Sequence, residues 1–474
     1  MRASRARRTA VGAVCLLGLV PAAVACTSDS DPARPTPRPS STSPAPVTHL
    51  TFGVYGPRSE TSAFRSTVEE WNAFSKGPEV HLRVWSTHEE FREAVQSGTS
   101  ELPDVFLTSR TDLRWLLDQE LTQPVDELLD ERGIDFGDGY SRDALQAFSA
   151  DARLQCMPYG VSPMVVYYNK QLVNFDRMRK RGLDAPEPDA TSWSFDQFAA
   201  AAKFASRPAR GTKGVHVEAT LPGLAPFIES GGGSVFDDGT DPTSLSFASD
   251  DSQAALERTL EVLRDPKVTL DEREQAQQSA LKWFEQGRLG MIAGYRSLVP
   301  QLRLVPGLEW DVLPMPVLDS SATVGDVSGL CLSRKAASTP AAADFLTNEL
   351  SVDAVTRVTR TGYLAPANLE VALSDTFLQP GRQPEHSAVF NSAVRSMDYG
   401  PLIDDLGRLE EAVEPDLREL LYGSGTLDLD TVTQRIDETS RPILDPTYTP
   451  SASPSSSPSS SPSTSPGASG SSGG

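Results

Sequence analysis

Short apolar segments alternate with longer amphipathic ones between about residues 49 and 446. Runs rich in Val, Leu, Ile, Phe or Tyr, each with the length of a β-strand, occur at residues 50–55, 80–85, 104–108, 164–168, 290–293 and 330–333. Segments with helical spacing lie between these runs. Regular alternation of strand and helix predicts an α/β fold.

Helical periodicity is clearest in three places. One apolar stripe consists of Leu113, Leu116, Leu117 and Leu121, and Pro124 marks its predicted end. Ser194 and Gln197 have the spacing of a capping box, which predicts a helix that begins at Ser194. A late stripe consists of Leu402, Leu406, Leu409, Val413, Leu417 and Leu420. We expect Pro415 to break or kink this last helix.

The composition bounds the class of protein. A chain of 474 residues is long enough for two or three domains. Its 64 acidic and 43 basic residues give a net charge of −21, which argues against nucleic-acid binding because phosphates would be repelled. The sequence has no G-X-Y period, no sustained heptad and no second long apolar run, which excludes collagen, coiled coils and multi-span membrane proteins.

The first residues have the pattern of an export signal. Four basic residues, Arg2, Arg5, Arg7 and Arg8, precede an apolar run over 10–25. The run ends in Ala23-Val24-Ala25-Cys26, which resembles a bacterial lipobox with Ala in place of the usual leading Leu. We therefore expect cleavage before Cys26 and a lipid on its thiol, which would hold the protein at the outer face of the cell membrane. The alternative is an ordinary cleavage site beside a chance cysteine.

Both ends of the mature chain are predicted to be disordered. Residues 26–47 are mostly Ser, Thr, Pro, Asp and Arg and have almost nothing to bury, which is typical of a tether. Residues 447–474 form a Ser/Pro-rich tail. The tail is either a wall-spanning or glycosylated stalk or an inert solvated segment.

Several motifs occur in a characteristic order. They are Pro103-Asp104-Val105-Phe106, Met157-Pro158-Tyr159-Gly160, Val166-Tyr167-Tyr168-Asn169-Lys170, the Trp193-led helix start, Gly231-Gly232-Gly233 with Phe236-Asp237-Asp238-Gly239, the stretch from Phe284 to Tyr295, Trp310-Asp311-Val312-Leu313-Pro314, and Gly362-Tyr363-Leu364-Ala365-Pro366. Each motif is weak alone. Their order over about 350 residues, behind a lipobox, resembles the extracellular solute-binding proteins of family 1, the sugar-type receptors of ABC importers.

The resemblance implies a two-lobed fold of the type II periplasmic-binding-protein class, in which hinge-crossing strands join two α/β lobes. By this analogy lobe one is 48–157 plus 326–370, and lobe two is 158–325 plus 371–446. The implied function is reversible binding of a solute, with a carbohydrate favoured, in the cleft between the lobes, followed by hinge closure. The implied partners are the solute, the importer's permease subunits and the membrane through Cys26. The resemblance also implies a monomer without a cofactor or metal.

Residues that follow the predicted strands are candidates for the ligand site, because sites in α/β sheets lie beyond the carboxyl ends of strands. The candidates are Tyr55, Arg58, Ser109, Arg110, Tyr159, Ser162, Tyr295, Arg296 and Tyr363. Aromatic rings stack on sugar C–H faces, and Arg or Ser side chains bond to hydroxyls.

Several candidates also have an interpretation that does not involve a ligand. Tyr295 is favoured by the resemblance, although Trp is commoner at that place, and its alternative is hinge packing. Tyr159 is otherwise a core tyrosine, and loop Arg and Ser residues are usually solvated. If Arg58, Arg110 and Arg296 shared one cleft, they would favour a ligand with carboxylate or phosphate groups.

Cys156 and Cys331 remain after processing, and each comes directly before a segment that the resemblance assigns to the interlobe crossing. The resemblance places those crossing strands side by side, and export permits oxidation, so we predict a disulfide. The alternative is a pair of buried free thiols.

The sequence carries no convincing catalytic constellation. It has no G-x-S-x-G or H-E-x-x-H motif, and its five histidines are scattered without zinc-ligand spacing. Ser279 and Lys282 match S-x-x-K, but the other elements of that site are missing. We therefore predict that the protein is not an enzyme. The rival hypotheses are an extracytoplasmic glycan-active hydrolase, whose paired carboxylates converge only in space, and a receptor-like fold used in sensing or adhesion.

Overall fold

A computed structural model describes residues 47–134, 137–188 and 190–449. The predicted signal peptide, Cys26, almost all of the predicted tether and the tail beyond Thr449 lie outside the described residues. Within the described ranges, no helix has both the length and the apolar character needed to cross a bilayer.

The strands of the described residues alternate with helices along most of the chain. The strands are β1 (His49–Tyr55), β2 (Glu79–Trp85), β3 (Val105–Ser109), β4 (Thr122–Gln123), β5 (Ser149–Ala150), β6 (Arg153–Leu154), β7 (Cys156–Pro163), β8 (Val165–Asn169), β9 (Lys213–His216), β10 (Leu289–Gly294), β11 (Trp310–Leu313), β12 (Thr323–Ser333) and β13 (Met397–Asp398). Each of the six predicted strands coincides with one of these.

The helices up to the return of β12 are α1 (Arg58–Phe74), α2 (His88–Gln96), α3 (Leu113–Asp118), α4 (Asp126–Asp130), α5 (Arg142–Ala147), α6 (Phe175–Lys180), α7 (Phe195–Ala205), α8 (Leu221–Ser230), α9 (Asp250–Leu263), α10 (Glu272–Gln277), α11 (Ala280–Glu285) and α12 (Leu298–Arg303). Those after it are α13 (Thr339–Glu349), α14 (Val352–Thr359), α15 (Leu369–Ala372), α16 (Asp375–Leu378), α17 (Ala388–Ala393), α18 (Leu406–Tyr422) and α19 (Leu429–Leu444). Short 3-10 helices cover Arg110–Asp112, Pro208–Arg210 and Val394–Ser396.

Two predictions about helix ends have different outcomes. The capping box at Ser194 is confirmed: Ser194 Oγ accepts from the Gln197 amide, and the Gln197 side chain accepts from the Ser194 amide, so α7 begins there. Of the two expectations for Pro415, a break is wrong, because α18 continues through it, and a kink stays a prediction. Leu402 precedes α18 and lies outside the helix.

The first sheet is the framework of lobe one. Its strand order is β13-β12-β3-β1-β2, and β4 and β7 also pair with β12. β1 runs parallel to β2 and β3, whereas β12 runs antiparallel to β3 and β7. The apolar face of this sheet packs with α1, α13 and α14 in one buried core that includes Phe52, Phe64 and Phe345.

The second sheet is the framework of lobe two, with strand order β11-β8-β10-β9. Alternate residues of β8 point to opposite faces, as the period of a strand requires. Val166 and Tyr168 join the core formed with α7, α8, α9 and α18. Val165 and Tyr167 join the core on the other face, beside Trp310. Helices thus cover both faces of this sheet.

The chain passes between the sheets at β7, at β12 and after β13. The sequence predicts that the first segment of lobe one ends at 157, whereas β7 stays paired with β12 in the first sheet through Pro163. Cys156 and Cys331 are register partners on β7 and β12, and a disulfide joins them.

Candidate functional site

A cavity of about 230 Å³ lies between the two lobes. Lobe one contributes Thr111 and the start of β12 from Val324 to Asp326, while Asp398 comes from β13 and Tyr399 from the residue after it. Lobe two contributes α8, the turn around Phe236, Tyr295 and the start of α18. The walls of this cavity therefore come from both lobes at the place where the chain crosses between them.

A second cavity, of about 470 Å³, adjoins the first. The two share Pro222, Tyr295 and Glu410 in their walls. The second cavity is lined mainly by lobe two, including His216 and Glu218. Tyr295 thus lies at the junction of the two cavities.

The position of Tyr295 is set by the end of β10. The Tyr167 hydroxyl donates to the Tyr295 carbonyl at 2.6 Å, which holds the turn against β8. A Cβ atom on Gly294 would lie 2.5 Å from Leu298 Cδ1, so glycine allows the close approach of α12. Burial and the charges of Asp326 and Glu410 raise the pKa of Tyr295 to about 12. The phenol is therefore a neutral group that can donate a hydrogen bond and stack.

Tyr55 lies at the end of β1, where the structure supports its ring on two sides. Its centroid lies 5.1 Å from that of His88 and 6.0 Å from that of Phe91. Burial raises the pKa of Tyr55, and the charges of Asp326 and Asp112 raise it further. The structure therefore brings Tyr55 into the same polar neighbourhood as Asp326.

Ser109 and Ser162 lie on the two strands that flank β12. Ser109 is buried at the start of the Arg110–Asp112 helix, and its hydrogen bond lowers the pKa of Asp326. Burial has the larger and opposite effect and raises that pKa to about 6. Ser162 is the register partner of Asp326 across β7 and β12. Neither serine lines the cavity, but both lie beside Asp326, which does.

Asp112 supports the lobe-one side of the site from within, and sequence reasoning missed it. It is fully buried, and its carboxylate accepts the Thr108 hydroxyl at 2.7 Å and contacts His88 Nε2 at 2.5 Å. Burial alone would lower the pKa of His88, but the hydrogen bond and charge of Asp112 outweigh it, and the pKa is raised. The His88 ring that packs on Tyr55 is thereby held in place.

Arg110 does not line the cavity but contacts Tyr399, which does. Its Nη1 donates to the Tyr399 carbonyl at 2.8 Å, and its Cζ lies 5.7 Å from the centroid of the Tyr399 ring. Burial lowers the pKa of Arg110. Since Tyr399 lines the cavity, Arg110 fixes a wall residue and ties lobe one to the segment that crosses into lobe two.

Arg296 lies in the core of lobe two and lines neither cavity. Its side chain is fully buried, and its guanidinium donates to the carbonyls of Gly362 at 3.3 Å and Phe377 at 3.1 Å. Its Cζ also lies 4.3 Å from the Phe377 ring centroid. Burial lowers the pKa of Arg296 to about 10. These contacts hold the guanidinium within the core, while its Nη1 has no hydrogen-bond partner among the described residues.

Of the nine sequence candidates, Tyr295 alone lines either cavity. Tyr159 is 1% exposed and packs on Phe64 in the lobe-one core, but its hydroxyl lacks the hydrogen-bond partner expected of a core tyrosine among the described residues. Arg58 is exposed at the start of α1. The Tyr363 hydroxyl accepts a hydrogen bond from Ser59 at 2.7 Å. With Arg296 buried and Arg58 at the surface, the cluster of three arginines in one cleft is not formed.

Carboxyl groups of the cavity wall were missed by sequence reasoning. They are Glu229, Asp326, Asp398 and Glu410. In a chain with 64 acidic residues no pattern distinguished them. Burial, followed by the charge of Asp398, raises the pKa of Glu229 to about 8, and burial raises that of Glu410. The glycine-rich turn was the one useful signal, because Phe236 and Gly239 of that motif line the cavity.

The described part of the chain contains no cluster of three or more His, Cys, Asp or Glu side chains arranged to hold a metal ion. The S-x-x-K match is a helix cap: Ser279 accepts from the Lys282 amide at 3.4 Å, and the Lys282 ammonium pairs with Glu285 at 2.6 Å. The arrangement of this site is suited to non-covalent binding through aromatic rings and hydrogen-bond acceptors.

Comparison with protein families matches residues 85–382 to a model of bacterial extracellular solute-binding proteins. A search of curated proteins finds no match. Solved structures with a similar fold include ABC substrate-binding protein Lmo0181 from Listeria monocytogenes, with 18% identity over 83% of this chain and 97% of that chain and a TM-score of 0.69.

Two further structures show the same fold. The GacH receptor of Streptomyces glaucescens has 17% identity over 84% of this chain and 98% of its own, with a TM-score of 0.67. The maltotriose binding protein of Thermus thermophilus has 14% identity over 82% of this chain and 98% of its own, with a TM-score of 0.61. At these identities the likeness shows the two-lobed fold alone, which is the fold class predicted from the sequence.

Proposed function

The chain belongs to the bacterial extracellular solute-binding proteins, and we propose that it is a receptor that binds a carbohydrate between its lobes and delivers it to an ABC importer. The observation that carries the proposal is the position of Tyr295 at the junction of the interlobe cavity and the adjoining cavity of lobe two. An aromatic ring at such a junction offers apolar faces to sugar C–H groups, while nearby carboxyls accept bonds from sugar hydroxyls.

The composition of the cavity wall fits this chemistry. Phe236, Tyr295 and Tyr399 supply aromatic surface, and Asp326 and Glu410 supply acceptors. Solved proteins of the same fold were crystallised with carbohydrates or related compounds: cycloalternan for Lmo0181, acarbose for the GacH receptor and maltotriose for the Thermus protein. These ligands support a carbohydrate as the solute class.

Binding is coupled to closure of the lobes in this proposal. The strands β7 and β12 and the segment after β13 carry the chain between the sheets, so a small rotation about them moves one wall of the cavity relative to the other. A solute that contacts both walls favours the closed form by its differential affinity for the two forms. The permease subunits would then distinguish loaded from empty receptor.

Anchoring follows from the sequence. We propose that lipid on Cys26 and the tether after it hold the receptor, as a monomer, at the extracytoplasmic face of the membrane. The acidic composition would keep the folded part away from anionic lipid headgroups.

The proposal is tested by calorimetry and thermal unfolding of the purified protein across sugars, polyols and peptides. A ligand at 100 times its dissociation constant stabilises the native state by about 2.7 kcal/mol, which raises the midpoint by a few degrees. We expect a selective shift without product formation. Tyr295→Ala should abolish it, whereas Phe74→Ala, at a side chain that is 84% exposed, should not. Turnover of a glycan would instead indicate a hydrolase.

A further inference from the structure

Carboxyl groups face each other across the interlobe cavity. Asp326 on β12 and Asp398 on β13 come from the first sheet, whereas Glu229 on α8 and Glu410 on α18 come from lobe two. No Lys, Arg or His side chain is among the residues that line this cavity. None of the four carboxyls forms an ion pair within 47–134, 137–188 and 190–449. The wall is therefore acidic on both sides.

Two cations that do not line the cavity act on the lobe-one carboxyls. The charge of Arg110 acts on Asp326 and Asp398, and that of His88 acts on Asp326. The lobe-two carboxyls, Glu229 and Glu410, have no such counter-charge among the described residues. Two of the four carboxyls are partly satisfied: Ser109 donates to Asp326, and the Gly400 amide donates to Asp398 at 2.8 Å. The carboxyls of Glu229 and Glu410 accept no hydrogen bond from any described residue.

Closure moves the two acidic walls together, and like charges that approach in a region of reduced dielectric repel each other. A positive charge between the walls converts this repulsion into attraction on both sides. We propose that the solute carries an ammonium group, and that an amino sugar is the class of carbohydrate that this cleft accepts. Burial, followed by the charge of Asp398, raises the pKa of Glu229, and an ammonium group beside Glu229 would favour its ionised form.

The adjoining cavity supplies a second observation that points to a polar ligand. His216 lines it and is 2% exposed, and its Nδ1 atom has no hydrogen-bond partner among the described residues. Glu218 and Glu410 line the same cavity. A solute that passes Tyr295 would therefore meet further groups suited to a hydrogen-bonding, positively charged ligand.

This inference rests on the proposed function and deepens it. It is tested by calorimetry with matched sugar triplets that differ only in the substituent at carbon 2: a free amine, an acetamide or a hydroxyl. Mono- and disaccharides of glucose and galactose supply such triplets. We expect the free amine to bind at least about tenfold more tightly than its acetylated and neutral counterparts, and the preference to shrink as ionic strength rises.

Substitutions that remove a single carboxyl charge test which residues cause the preference for the amine. Glu229→Gln and Asp326→Asn should each lower the affinity for the amine several-fold more than the affinity for the neutral sugar, because each removes a carboxyl charge as well as any contact to a hydroxyl. Glu257→Gln, at an exposed position of α9 outside the cavity, is the matched control and should retain the preference.

Two results would overturn the inference and separate it from the proposed function. If acetylated or neutral sugars bind as tightly as the amine and Tyr295→Ala abolishes their binding, the ammonium assignment is wrong while the carbohydrate receptor stands. If no member of any triplet binds, both proposals are wrong.

Discussion

The Cα atoms of Cys156 and Cys331 lie 4.3 Å apart, although 175 residues separate them in the chain. Both side chains are fully buried, and their disulfide joins β7 to β12, the two paired strands that carry the chain between the lobes. The bond therefore closes a long loop around the whole of the first excursion into lobe two.

Removal of this disulfide should destabilise the protein. A bond across so long a loop restricts the unfolded chain strongly, and its loss costs about 2–5 kcal/mol of unfolding free energy. We expect this decrease for Cys156→Ala/Cys331→Ala in urea unfolding. Wild-type protein unfolded under reducing conditions is the control and should show a similar decrease. Thiol labelling of the native, unreduced protein should detect neither cysteine, and labelling of both would contradict the bond.

Asp112 should prove a stability residue that also maintains the ligand site. Asp112→Asn removes a buried carboxylate that pairs with His88 and accepts from Thr108, and we expect a loss of about 2–4 kcal/mol. The pKa of His88, followed by NMR, should fall because the charge that raises it is gone. Asp118→Asn, at a side chain that is 53% exposed, should change neither quantity measurably.

The stability of the folded protein should decrease between about pH 5 and pH 8. Burial raises the pKa of Glu229 to about 8, of Glu349 to about 7 and of Asp326 to about 6. Between the ordinary and the raised pKa of such a carboxyl, the folded state holds a proton that the unfolded state has lost. Each rise in pH therefore favours unfolding, and the stabilisation is complete only below the ordinary carboxyl pKa.

A substitution at Glu229 distinguishes the contribution of this carboxyl to the pH dependence of stability from the contributions of the other titrating groups. Glu229→Gln should flatten the dependence of unfolding free energy on pH, with the largest gain near pH 8, because it removes the group with the highest raised value. Glu257→Gln is exposed and should leave the curve unchanged. A steady rise in stability from pH 5 to pH 8 in the wild type would contradict the prediction.

Arg296 and Arg58 should behave in opposite ways. Arg296→Met keeps much of the side-chain volume but leaves the carbonyls of Gly362 and Phe377 without their donors, so we expect a loss of about 2–4 kcal/mol in unfolding free energy. Arg58→Met changes an exposed side chain and should cost less than about 0.5 kcal/mol. Neither substitution should alter the affinity of protein that remains folded. A large loss of affinity in folded Arg296→Met would restore Arg296 to the ligand site.

Local patterns were sufficient for the elements of this fold. The apolar runs that became β1, β2 and β3 and the capping box of α7 depend on residues close together in the chain, so the sequence predicts them directly. The pattern around Pro415 left a break and a kink open, and α18 continues because packing of its apolar face against the lobe-two core outweighs the local preference of proline.

The residues of the candidate site also fall into two groups, those that the sequence predicted and those that only the structure brought together. The sequence by itself determined the α/β class, the order of motifs that identified the family, and Tyr295 as the favoured aromatic. Only the tertiary structure decided that Arg296 is buried in a core while Glu229, Asp326, Asp398 and Glu410 share one cavity. The physical reason is that these carboxyls come from four elements far apart in the chain. The packing of the two lobes brings them together, and no local pattern in the sequence predicts that packing.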